Sequence, residues 1–203
     1  FFFHPDAGIR DPLWSRGLGD VYKRQVLFIA IIFFGRVLPH PYNFTPLIAV
    51  TLLSSYALSN KLLVITIPIF GFWLSDLFMN NFIYAGYYKD FTIFNSGMIW
   101  TYGAIVLVAL LGNSFLDKIS SGKVALASLS GSTLFYLISN FGVWAFSPMY
   151  AKTLVGLIQC YSLALPFYGT SLIGDLIYCG ILFGSYQLFF SNNPSFLTSQ
   201  SET

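Results

Sequence analysis

Between Val26 and Phe190 the chain is a succession of apolar segments, and only two carboxylates, Asp76 and Asp175, fall within them. Runs such as AIVLVALLG and ILFGSYQLFF are continuous rather than alternating. In hydrocarbon every backbone polar group needs an internal partner, so only helices and closed barrels can span. Barrel strands alternate apolar and polar residues, which these runs do not. The predicted fold is therefore all-α: an integral-membrane bundle of about six transmembrane helices, with one short half-spanning or interfacial helix. Charged residues make up 9% of the chain, against roughly 25% in an average soluble domain, which excludes a soluble globular reading.

Residues 1–25 differ in character. They hold seven of the eighteen charged residues and end in GLGDVYKRQ, which resembles translated adapter sequence. We expect a non-native leader over 1–25, a helical membrane domain over 26–190 and a polar, disordered tail over 191–203. Within the domain seven apolar segments are expected, at 26–38, 46–59, 62–79, 97–114, 124–146, 149–165 and 171–190. A span needs about 20 residues, so the first two are short. Pro39, Pro41 and Pro46 break the chain between them, and Thr45 is placed to cap the second helix with Pro46 at its first position. Pro68 predicts a kink in the third segment, and Pro166 is read as the end of the sixth.

An ionised acid in hydrocarbon is costly and is by default a candidate functional group. Asp76 closes the third segment, with Trp73 one turn before it and Phe72 and Asn80 on its face. Asp175 is expected in the first turns of the seventh segment. There Thr170 or Ser171 would cap the helix and the macrodipole would stabilise the anion. In the fifth segment Thr133, Tyr136, Asn140 and Trp144 recur at helical spacing, as a solute-facing or an interhelical polar face. Arg36, His40 and Asn43 cluster around the broken backbone, as a site or as an ordinary extramembrane turn. The candidate solute-binding set is Asn43, Trp73, Asp76, Asn140, Trp144 and Asp175. Asp76 would hold a cation or hydrogen-bond donor, the two amides would orient the solute, and the indoles would form walls. Asp76 is the stronger candidate of the two acids.

Other chemistry finds no footing. GxSxG, HExxH and P-loop motifs are missing, and His40 is the one histidine beyond the leader, so no enzyme and no cofactor is expected. Cys160 and Cys179 lie in apolar runs without metal or redox spacing and read as small buried hydrophobes. A net charge of +2 gives no basis for nucleic-acid binding.

The stretches LPHPYNFTPLIA (38–49), PIFGFWLSDL (68–77), SGSTLFYLISNFGVWAF (130–146), AKTLVGLIQCYSLALPF (151–167) and GDLIYCGILFGSYQLF (174–189) carry a resemblance. They resemble a family of bacterial multi-pass membrane proteins described only as candidate transport proteins. That family is in turn distantly similar to the S components of energy-coupling-factor vitamin transporters. The resemblance implies a bacterial inner-membrane protein that binds a small solute in a helical bundle and works with a partner transport subunit. With no ATP site in the chain, active transport would draw on a partner ATPase or an ion gradient. The alternative is a structural or scaffolding subunit of an envelope complex, its polar residues serving as interhelical glue.

Overall fold

The computed structural model describes residues 13–87, 90–95 and 97–190. Among them there is no strand, and six helices follow in order: α1 (Leu13–Val37), α2 (Leu47–Ala57), α3 (Lys61–Phe78), α4 (Met98–Phe115), α5 (Ser121–Phe146) and α6 (Leu154–Phe190). A wide helical turn, Met79–Ile83, extends α3. Four helical stretches, Lys61–Ile83, Met98–Phe115, Ser121–Phe146 and Leu154–Phe189, are long and apolar enough to cross a membrane. This is a helical bundle fit for multi-pass insertion. The tail expected over 191–203 lies outside the described residues. The leader expected over 1–25 lies partly outside them, and α1 continues without interruption past Val26.

Two sequence expectations need correction. Segments six and seven are one helix, because α6 passes straight through Pro166 over 37 residues, about 55 Å at 1.5 Å per residue. Proline removes a backbone donor and strands a carbonyl one turn earlier, which in water ends most helices. Inside a membrane bundle neighbouring side chains can satisfy the freed groups. The carbonyl freed here is that of Ser162; on the turns beside it the Tyr136 hydroxyl of α5 donates to the Tyr161 carbonyl at 2.7 Å, and Thr170 Oγ1 donates to the Pro166 carbonyl at 3.2 Å. The second correction is at α2, where Pro46 itself, and not Thr45, takes the capping position, with no side-chain cap bond among the described residues. The first turn is closed by the Val50 N–H to the Pro46 carbonyl at 2.9 Å.

The short second segment is the centre of the bundle. Of the 11 residues of α2, all but Tyr56 are buried, and it packs against each of the other five helices. Leu52 fits between Gly112 of α4 and Gly131 of α5: a methyl group on those glycines would sit 3.1 and 3.9 Å from its two δ-carbons. Small residues let helix backbones approach in lipid, where packing rather than water drives association. Gly131 serves this contact, whereas a methyl group on Gly180 or Gly184 of α6 would meet open space. Polar groups on α2 are used up internally. Ser55 Oγ lies 3.0 Å from the Ala109 carbonyl of α4 and 2.9 Å from its own helix at Thr51. Cys160 and Cys179 are free and buried, as expected.

Candidate functional site

An 11-residue helix rises about 16 Å, half of a hydrocarbon core of about 30 Å. The bundle interior beyond the N-terminus of α2 is therefore not filled by helix. A cavity of about 540 Å³ occupies it, walled by the C-terminal end of α1, the linker after it, the end of α3, the start of α4 and the facing halves of α5 and α6. That volume falls in the range of small-molecule sites.

The proline-broken linker forms one wall. A turn over Pro41–Phe44 is closed by the Phe44 N–H to the Pro41 carbonyl at 3.1 Å. Asn43 sits in it at φ 59°, a left-handed conformation that asparagine tolerates better than most residues. Asn43 lines the cavity, as does His40, whose ring nitrogens lie 2.7 and 3.1 Å from the carbonyls of Pro41 and Arg36. The linker is pinned to α6 by two aromatic contacts, Tyr42 on Phe167 and Phe44 on Tyr178. Phe44 fits so closely over Gly174 that a methyl group there would come within 2.9 Å of its ring. The NFTP and GD stretches are thus two halves of one contact.

Asp175 follows Gly174 and lines the same cavity. It does not open a helix. Since α6 begins at Leu154, the macrodipole stabilisation expected for Asp175 is absent, for that effect fades within the first turn. The residue is 1% exposed. Oδ2 accepts from Ser132 Oγ of α5 at 2.7 Å and from Ser171 Oγ, one turn earlier on α6, at 3.2 Å.

Asp76 is elsewhere. Its Oδ1 is 2.7 Å from Arg36 Nη1, with the two side chains 13% and 15% exposed. The same nitrogen donates to Ser75 Oγ at 2.5 Å and to the Phe72 carbonyl at 3.2 Å, and the guanidinium carbon lies 3.7 Å over the Phe72 ring. Arg36 lines the cavity and Asp76 stands behind it. The two acids therefore do not share a vestibule. Trp73 is also away from the cavity, stacked with Phe94 at 6.2 Å and tilted on Phe70 at 5.8 Å, and its buried indole N–H has no hydrogen-bond partner among the described residues.

On α5 the cavity face is Ser132, Tyr136, Ser139 and Asn140, one helical stripe at i, i+4, i+7 and i+8. Asn140 points its amide donor back to the Tyr136 carbonyl at 2.8 Å. Thr133 turns aside to the Tyr168 hydroxyl at 2.8 Å. Trp144 does not line the cavity. Its indole N–H donates to the Ala151 carbonyl at 3.0 Å, and the ammonium of Lys152 donates to the carbonyls of Trp144 and Ser147. The tryptophan and the lysine of the family-like stretches thus close the α5–α6 corner, a cationic cap on orphan C-terminal carbonyls. Lys152→Ala should lower stability by about 1 kcal/mol. Thermal unfolding in detergent checks this, and an unchanged midpoint would show the cap to be incidental.

The structure thus brings together Asn43, Asn140 and Asp175 and leaves Trp73, Asp76 and Trp144 outside. It adds Ser132 and Ser171, the donors to Asp175. Ser171 was visible only as a possible cap, and Ser132 sits next to the Thr133 stripe chosen from spacing. Two observations of kinship accompany this geometry. No curated protein and no solved structure matches the chain. A family model described as "Family of unknown function (DUF6580)" matches residues 22–196, and the chain belongs to that family.

Proposed function

We propose that this chain is a membrane-embedded solute-binding protein of the transport type, seated in the cell (inner) membrane. The observation that carries the reading is the cavity of about 540 Å³ left above the half-length helix α2, lined by polar groups from the linker, α5 and α6. A bundle built only for packing would gain from filling that space, since voids forfeit dispersion contacts. The resemblance to S components supports the same reading. Asn43, Asn140 and Asp175 are the polar anchors, and Phe135, Tyr136, Phe167 and Tyr168 supply apolar walls.

Native mass spectrometry of the full chain released from nanodiscs tests the proposal. The expected result is a retained small molecule, lost in Ala164→Phe, which places a ring in the cavity from its α6 wall. Wild-type protein without a small molecule, or one whose retention Ala164→Phe leaves unchanged, would overturn it. A stoichiometric protein partner retained in place of a solute would favour the scaffolding alternative. That alternative draws on the interhelical bonds of Thr133 to Tyr168 and of Tyr136 to the Tyr161 carbonyl.

A further inference from the structure

The charges around the cavity are unevenly compensated. Arg36 is neutralised by Asp76 at 2.7 Å and is stacked on Phe72. Asp175 has no such partner: among the described residues no cation pairs with it, and its hydrogen bonds come from two neutral hydroxyls. One of those is shared. Ser132 Oγ lies 2.8 Å from the Ser128 carbonyl as well as 2.7 Å from Asp175, and a hydroxyl has a single proton to give. An acid at 1% exposure, in an apolar bundle and short of donors, is uncompensated in its charged form, which a cationic ligand would stabilise. Beside it the rings of Tyr136 and Tyr168 lie 4.6 Å apart between centroids, with Phe135 and Phe167 also on the cavity wall. Aromatic faces attract cations and accept apolar bodies.

From this juxtaposition we infer that the solute is a small organic cation, its ammonium or similar onium group against Asp175 and its apolar body against the aromatic wall. The inference rests on the solute-binding reading above and adds the ligand class. An anion would face the Asp175 charge, and Arg36, held by Asp76, offers little to offset that. A neutral solute would leave the carboxylate uncompensated.

Three near-isosteres separate these cases: phenethylammonium, 2-phenylethanol and 3-phenylpropionate, titrated into the full chain in nanodiscs of zwitterionic lipid. The cation should bind about tenfold or more tighter than the alcohol, the usual scale for a charged hydrogen bond, and the anion weakest. Asp175→Asn keeps the side-chain shape and removes the charge. It should abolish the cation's advantage over the alcohol, and circular dichroism with an unchanged thermal midpoint reports that the variant is folded. Equal binding of all three to the wild type, or a preference for the anion, would overturn the cation assignment and leave the solute-binding reading standing. A cation preference that survives Asp175→Asn would remove Asp175 as its source and overturn the assignment too. No binding of any probe, together with no retained molecule in native mass spectra, would overturn both.

Discussion

Replacing Arg36 with methionine should destabilise the bundle by about 3–5 kcal/mol, the usual cost of removing one member of a buried ion pair. The guanidinium does three things at once. It neutralises Asp76 at 2.7 Å, donates to the Phe72 carbonyl at the end of α3 and covers the Phe72 ring at 3.7 Å. Without it Asp76 is left as an acid 13% exposed, facing desolvation with no compensating charge. Replacing both residues, Arg36→Met with Asp76→Leu, should recover most of the loss, because well-packed apolar pairs often match or exceed the stability of buried ion pairs. Ser75 does not suffer in either variant, since its hydroxyl already donates to the Phe72 carbonyl at 2.6 Å. Unfolding in mixed detergent, followed by circular dichroism, measures both. If the double variant is as unstable as the single one, Asp76 has another function that the pairing does not explain. Recovery would assign Asp76 to the scaffold and leave Asp175 as the acid of the site.

That exchange of roles shows which physics the sequence carries. Helix type and membrane class were legible because continuous apolar runs admit few alternatives, and four of the six helices, α2 to α5, lie where the apolar pattern puts them, while α1 starts earlier, at Leu13. What was not legible was pairing. Asp76 and Arg36 are forty residues apart in a chain whose helices can be arranged in many ways, and nothing local says that α1 and α3 place them together. Asp175 was misjudged for a different reason. Pro166 is a stop signal in water, but inside the bundle α6 runs through it, and Asp175 falls deep within the helix. On α5 the stripe through Thr133 and the stripe through Ser132 differ by one residue, and both hold polar groups. Only the packing of α6 decides that Ser132 meets Asp175 while Thr133 meets Tyr168. Trp144 looked like part of a site because it follows Asn140 at helical spacing; its indole instead donates to the Ala151 carbonyl, and with Lys152 it fastens the α5–α6 corner.

The cavity depends on α2 being both short and fully enclosed, and a pair of leucine truncations tests that directly. Leu52→Ala should cost about 2–5 kcal/mol, whereas Leu163→Ala should stay within about 0.5 kcal/mol. Leu52 is 0% exposed and Leu163 is 64% exposed on the outer face of α6. In water the two would differ largely through hydrophobic transfer. In a bilayer lipid tails are as apolar as leucine, so transfer contributes little and packing decides. A hole at Leu52, between Gly112 and Gly131, is closed to lipid and loses its dispersion contacts outright. The space left at Leu163 is refilled by an acyl chain. Comparable effects at the two positions would mean that α2 is not the enclosed core of the bundle. The floor of the cavity would then lose its support, and with it the space in which Asp175 waits for a cation.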